Sequence, residues 1–432
     1  MVEAEGAPAK GRRGTEGHPT VKRKLRTLAT TATATATTVL LIAGVQRSAS
    51  AETGTEADAT SASASAPAAD TWIGTWAASP QSGSDTFGQQ TIRQIVHTSI
   101  SGTAARVHLS NAFGNKPVVI RDVHIARRTS GSSVSASTDR AVTFGGRTDV
   151  TIPVGGTVAS DSTGFAVPAG ADVAVSFHVP DSTGPATYHQ SGLQTNYIAP
   201  GDVAGNADLT GVKTTGSYYF LSGLDVVNTA ATGAVVTLGA SITDGIASRT
   251  DANRRWPNDL ATRLSAAGRV VGVLNQGISG NQLLADGAGQ SALKRFDRDV
   301  LAQPGVRWVI FADDPINDLT NRNPTADQLI TGLKQLISAA HGKGVKFICS
   351  TLTPFEGAGG WKAELEPKRA AVNSFIRGAG SGCDGIVDQD TATHDPAQPT
   401  KFRAAFDSGD HLHPNEAGLQ AIADAVDPAL FQ

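Results

Sequence analysis

Ala234-Val-Val-Thr-Leu-Gly-Ala-Ser-Ile-Thr-Asp-Gly245 decides the fold of this chain. Its first half, Ala234–Gly239, is a short apolar run with no alternating polar positions. That pattern predicts a strand buried on both faces, the kind found in parallel sheets. A turn of small and polar residues around Ser241 follows and is closed by Gly245. Working outward, the runs Val270–Leu274, Val306–Phe311, Val345–Ser350 and Gly385–Asp388 repeat the strand pattern. Helical patterns lie between them. Thr325 predicts an N-cap for a helix whose apolar face is Leu329, Leu333, Leu336, Ile337 and Ala340, with Gly342 and Gly344 near its end. Pro414 predicts the first residue of a last helix that carries Leu419, Ile422 and Val426. Strands alternating with helices predict a doubly wound, three-layer α/β/α sheet of flavodoxin-like order, with strand one between strands two and three.

Upstream the pattern changes. From Trp72 to about Val227 the signals are strands punctuated by Gly-Gly, Asp-Ser and Ser-Thr-Gly clusters. Val173, Val175, Phe177 and Val179 alternate with Ala174, Ser176 and His178, which predicts a half-buried strand. Val107 and Leu109 alternate in the same way with Arg106 and His108. No stretch carries a helical period, so residues 71–228 read as a β-sandwich domain before an α/β domain at 229–432. Residues 52–70 are Ala, Ser, Thr, Glu and Asp without an apolar period and read as a disordered linker. Residues 1–51 have a basic start, an apolar Thr/Ala-rich run from Leu28 to Val45, and Ala49-Ser-Ala51. This is the pattern of a secretory signal peptide cleaved after Ala51. A membrane anchor is the alternative, but only Val39–Val45 is strongly apolar, so no span is expected in the mature chain. The Arg12-Arg13 pair lies far from the apolar run, so a twin-arginine route is a weak reading.

At 432 residues the chain is long enough for two full cores. Charged residues are 17% and the net charge is −3, which argues against a nucleic-acid partner. Two Cys in a secreted chain invite a disulfide. Cys349 lies late in one expected strand, however, and Cys383 just before the next. On parallel neighbours they would sit near opposite ends, beyond the roughly 7 Å Cα separation a bridge allows. Two free, mostly buried thiols are expected.

In doubly wound sheets, ligands bind beyond the carboxyl ends of the strands. Ser241 follows strand one, Gly280 follows strand two and Asn317 follows strand three, so all three converge on one edge. A serine hydroxyl needs a base to take its proton and a third group to orient that base. The run Asp407-Ser-Gly-Asp-His-Leu-His-Pro-Asn415 offers His413 and Asp410 for those parts. A helix-capping loop without chemistry is the other reading of this run. Asp410, His411 and His413 also suggest a metal site, but no further His/Cys cluster completes one, and neither metal nor cofactor is expected. His97, His108, His124, His178 and His189 read as surface or core residues. Trp72 and Trp76 read as packing rather than sugar platforms. Arg254-Arg255 reads as a solvated helix entry.

Asn275-Gln-Gly-Ile-Ser-Gly-Asn281 and Pro315-Ile-Asn-Asp318 join the Ser241 and Asp410/His413 segments in order and spacing. Over about 229–432 this set resembles the SGNH hydrolases, also called the GDSL esterase/lipase family. Trp72-Ile-Gly-Thr-Trp-Ala-Ala-Ser-Pro80 and the β-rich segment after it are similar to secreted actinobacterial members. The resemblance implies Ser241 as nucleophile and Asp410 and His413 as its partners. It implies an oxyanion hole from the Ser241 amide, the Gly280 amide and the Asn317 side chain. It also implies a small-molecule, lipid or polysaccharide ester as substrate, and a monomer is expected.

Two positions depart from the family pattern. Ala240 stands where the family carries Asp, and Pro315 where it carries Gly, with Asp313-Asp314 ahead of it. We expect Asp314 to supply the carboxylate missing at 240, and Pro315 to stiffen the loop that aims Asn317. The departures leave open a carbohydrate-binding protein with a weakened hydrolase domain.

Overall fold

The computed structural model describes residues 71–432. The expected signal peptide and linker lie outside the described residues.

The parallel sheet follows from the apolar runs. Its strands are β1 (Gly233–Gly239), β2 (Val271–Gly277), β3 (Val306–Phe311), β4 (Lys346–Ser350) and β5 (Gly385–Val387), in spatial order β2-β1-β3-β4-β5. This is the flavodoxin-like order, with β1 between β2 and β3. Every residue of β1 is buried, because helices and the β-rich segment leave neither face of the sheet in water. Six helices carry the argument below: α1 (Ser241–Asp244), α2 (Trp256–Ala266), α3 (Asp314–Arg322), α4 (Ala326–His341), α5 (Glu366–Arg377) and α6 (Glu416–Asp424). Helix α4 starts as expected. The Thr325 hydroxyl accepts from the Gln328 amide and the Gln328 side chain returns the bond, a capping box. Its predicted face, Leu329 to Ala340, is buried.

Helix α6 starts later than expected. Pro414 is not its first residue. Asn415 caps the helix, with its side-chain oxygen accepting the Ala417 and Gly418 amides. Pro414 instead sits opposite Asp407 in an isolated antiparallel bridge, closed by Ser408 N to His413 O at 3.1 Å and Asn415 N to Phe406 O at 2.8 Å. His413 is therefore held on a small clasp ahead of the helix.

The two cysteines are bonded, not free: Cys349 and Cys383 form a disulfide with Cα atoms 5.8 Å apart. The expectation failed on the path into β5. Ile348 lies opposite Gly385, so straight strands would leave the two Cys three residues out of step. Gly382 has φ +82 and bends the chain there, folding Cys383 back beside Cys349.

From Trp72 to Val227 the chain forms antiparallel sheets. A four-stranded sheet contains Trp72–Ala77, Leu221–Val227, Ala105–Ser110 and Thr157–Ala159. An eight-stranded sheet is centred on Gln90–His97 and Asp172–Val179. Their facing side chains share one core: Ile73, Val107, Leu109, Leu224 and Val226 from one, Ile92, Val96, Val175 and Phe177 from the other. Arg106 and His108 point outward as the alternation predicts. Asp172–Val179 differs from expectation, since both of its faces are buried. Tyr197, Ala199 and Leu209 cover its second face and pack with Ile95, Ala126 and Ala174. A third, three-stranded sheet pairs Gln81–Ser82, Thr187–His189 and Tyr218–Tyr219.

Candidate active site

Strand β1 delivers Ser241 to the carboxyl edge of the sheet. The chain leaves β1 through Ala240 and turns at once into the single-turn helix α1. Gly245, at φ +100, ends that turn in a conformation Gly adopts without strain. The turn is pinned underneath by a carboxylate. Asp313 Oδ1 accepts the Ala240 amide at 3.0 Å and the Thr243 hydroxyl at 2.6 Å, and Oδ2 accepts the Ile242 amide at 2.8 Å. The carboxylate expected at this place was that of Asp314; the structure places it on the preceding residue. Asp314 opens α3 and faces the other way, accepting from Asn281 Nδ2 at 2.7 Å with the Arg295 guanidinium 3.8 Å off. Asp313 is the last residue before α3 and so remains within reach of the β1 turn. Burial pushes the Asp313 carboxyl up, opposed by the Thr243 hydroxyl and the Ala240 and Ile242 amides.

His413 reaches Ser241 from the clasp. Its Nε2 lies 2.9 Å from Ser241 Oγ, and its Nδ1 lies 2.6 Å from Asp410 Oδ2. Asp410 Oδ1 accepts the backbone amides of Leu412 and His413 at 2.9 and 2.8 Å. Partial burial works against charge on Asp410, but the His413 amide, the His413 ring and the Leu412 amide outweigh it and hold the carboxyl at about 2. Both ring nitrogens of His413 are thus engaged, one by a carboxylate and one by a hydroxyl. His411 points elsewhere and bonds Asp407. Among the described residues no group of His, Cys, Asp and Glu is arranged to hold a metal ion. The Asp410 side chain is 52% exposed and that of His413 15%, so the site opens to solvent at its rim.

The three predicted donors lie on β2, β1 and β3 loops of the same edge. Gly280 has φ +80, and a Cβ there would meet Ala288 Cβ at 3.3 Å. Among the described residues no protein acceptor takes the Ser241 or Gly280 amide. Asn317 sits on α3. One hydrogen of its Nδ2 goes to Asn281 O at 2.9 Å, which fixes the amide plane and leaves the other hydrogen free. Pro315 does not stiffen a loop. It occupies the first turn of α3, where a missing N–H costs nothing and the fixed φ favours the helix. Asp318, next to Asn317, accepts the Leu283 and Leu284 amides at 2.6 and 3.0 Å and so ties α3 to the segment after Gly280.

One further expectation needs correction. Only Arg254 of the basic pair is solvated: Arg255 is buried at the start of α2 and bonds Gly192 O. His189 is a core residue, within the expectation, and its buried ring bonds Asp244 on α1. Nothing in its sequence neighbourhood signals that contact, which spans 55 residues. Trp76 packs edge to face on Tyr218 at 4.8 Å, and Arg106 lies 4.6 Å over the Trp72 ring. Neither tryptophan presents a free platform.

Residues 237–421 match the family model described as GDSL-like Lipase/Acylhydrolase family. Similar solved structures include a putative lipolytic protein of the G-D-S-L family from Desulfitobacterium hafniense DCB-2, at 19% identity and a TM-score of 0.36, covering 45% of this chain and 97% of that one. The lipase/acylhydrolase from Enterococcus faecalis is similar at 20% identity and TM-score 0.35, over 45% of this chain and 92% of that one. A variant of an acetyl xylan esterase from Geobacillus stearothermophilus is similar at 22% identity and TM-score 0.35, over 45% and 93%. No curated protein sequence matches the chain.

Proposed function

From a chain whose residues 237–421 form a GDSL-like lipase/acylhydrolase domain, we propose a serine esterase that cleaves carboxylic esters through an acyl-enzyme. The observation that carries this reading is His413 bridging Asp410 at 2.6 Å and Ser241 Oγ at 2.9 Å. In the proposed reaction Ser241 Oγ attacks the ester carbonyl while His413 Nε2 takes its proton. Asp410 orients the ring and stabilises the imidazolium. The tetrahedral oxyanion is bound by the Ser241 and Gly280 amides and the free hydrogen of Asn317. One such donor contributes about 3–4 kcal/mol. Collapse breaks the bond to the alkoxy oxygen, which leaves with the proton from His413. Water, deprotonated by the same His413, then attacks the acyl-Ser241 ester and frees the acid.

The departures that suggested a weakened enzyme lose their force. Asp313 fills the place of the carboxylate absent at Ala240, and Pro315 fits the first turn of α3. An open rim supports acylated polysaccharide or lipid as well as small esters as substrates. We further propose that the protein is secreted. The Cys349–Cys383 disulfide supports this, since such bonds persist in oxidising compartments. The test is hydrolysis of a short-chain nitrophenyl ester. The parent should turn it over and Ser241→Ala should not; equal rates would overturn the proposal.

A further inference from the structure

We propose that the small three-stranded sheet of the β-rich segment positions the oxyanion loop, acting through His189 and Gln81; this rests on the esterase reading above. Its strands Gln81–Ser82 and Thr187–His189 run side by side, so both residues project from one small platform. Each reaches the loop after β2 by a different route.

The first route passes under the nucleophile. His189 Nδ1 lies 3.1 Å from Ser79 O and its Nε2 3.1 Å from Asp244 Oδ1. A backbone carbonyl only accepts, so Nδ1 donates to it. The His189–Asp244 pair then holds one further proton between Nε2 and Oδ1. The other oxygen of the carboxylate, Asp244 Oδ2, accepts the Ser279 amide at 2.9 Å and the Ser279 hydroxyl at 2.5 Å. Asp244 is three residues past Ser241, on α1, and Ser279 immediately precedes Gly280. One carboxylate thus ties the turn that carries Ser241 to the loop that carries the Gly280 amide. The His189–Asp244 end of the tie is inside the protein, 6% and 3% exposed, and Ser279 at its other end is half-buried. In that setting a hydrogen bond to charge is strong, and its loss leaves a buried group short of partners.

The second route passes behind the loop. Gln81 Nε2 donates to Ala288 O at 2.9 Å, and Gln81 Oε1 accepts the Gln190 amide at 2.9 Å, which fixes which way the Gln81 amide faces. Ala288 is the residue nearest to where a Gly280 side chain would be. The platform therefore holds Gly280 from both sides of its loop. Neither His189 nor Gln81 touches the reacting atoms; both are positioning residues.

The experiment compares the full chain with His189→Ala, Ser279→Ala and His189→Gln on a short-chain nitrophenyl ester. Binding of a boronic acid, which becomes tetrahedral on the serine, is measured in parallel. A displaced oxyanion donor acts on the transition state, so kcat should fall about 10–100-fold in the two alanine variants. KM should stay within about twofold, and boronate affinity should fall with kcat. His189→Gln, which keeps a donor toward Asp244, should recover part of the loss. Should His189→Ala fail to fold, Gln81→Ala still decides, because it cuts the bond to Ala288 O and leaves the His189–Asp244 pair in place; unchanged kcat and boronate affinity in it would overturn the role of the platform. An active parent whose alanine variants lose thermal stability but keep kcat and boronate affinity overturns the positioning role alone. An inactive parent overturns the esterase reading and this role with it.

Discussion

Asp313 lies directly beneath Ala240 and takes its amide hydrogen at 3.0 Å. The side chain one would look for at 240 is thus replaced by one from the adjacent strand end, made possible because β1 and β3 are neighbours. Asp313 satisfies three buried donors, and each left unpaired costs about 1–3 kcal/mol. Asp313→Ala should therefore lower both stability and kcat. Ala240→Asp should also be harmful, because it sets a second carboxylate against Asp313 and like charges at such range repel. The double variant Ala240→Asp with Asp313→Ala should recover activity lost by either. Kinetics on the three variants check this; an Ala240→Asp single variant faster than the parent would contradict it.

Ser241, His413 and Asp410 form one continuous hydrogen-bonded line. Groups that act as a unit lose their effect together. Ser241→Ala and His413→Ala should each cost several orders of magnitude in kcat, and the double variant little more than either. Asp410, held at about 2, stays charged across the acid range. Loss of activity on acidification should then not come from Asp410, and log kcat/KM should fall with a slope of one per pH unit if a single proton stops the reaction. A slope of two would mean a second titrating group.

Asn317 has one amide hydrogen committed to Asn281 O. Its orientation is set before substrate arrives. Asn317→Ala should lower kcat by about 10²–10³, the usual loss for one oxyanion donor. A rise in KM with kcat intact would make Asn317 a substrate contact instead.

The elements legible in the sequence are those that local physics dictates. Buried runs such as Val306–Phe311 and the Thr325 cap with its Leu-rich face needed no tertiary information, and alternation pointed to a doubly wound sheet. Ser241, Gly280 and Asn317 could be placed on one edge for the same reason. What was hidden depends on chain path. The choice of Asp313 over Asp314 turns on which of two adjacent carboxylates faces β1 and which opens α3. The start of α6 turns on Asn415 outcompeting Pro414 as the boundary residue. The disulfide turns on a single left-handed Gly382. The His189–Asp244 contact joins two parts of the chain with no shared pattern.

The disulfide closes a loop of 34 residues between β4 and β5. By its effect on the unfolded chain it should stabilise by about 3–4 kcal/mol. It joins β4 to the approach to β5, two strands over from β1, so Cys349→Ser with Cys383→Ser should lower the urea midpoint and leave kcat unchanged. An unchanged midpoint would show that the native state gains nothing from the bond.

Asp314 carries the last prediction, which concerns pH. It is fully buried, and burial pushes its carboxyl up to about 7; Arg295 opposes the shift and Asp313 adds to it. An unfolded Asp titrates at about 3.9. The native state therefore binds this proton at a pH where the unfolded chain does not. The stability this group contributes is fully present below about 4 and is lost as pH rises through about 7, at up to about 1.4 kcal/mol per pH unit. Asp314→Asn keeps an oxygen to accept from Asn281 Nδ2 but carries no titrating proton. Urea unfolding at pH 5 and pH 8 should show the parent losing more stability than the variant, with the variant gaining on the parent as pH rises. Equal losses would mean that Asp314 is ionised at both pH values and that Arg295 compensates its charge.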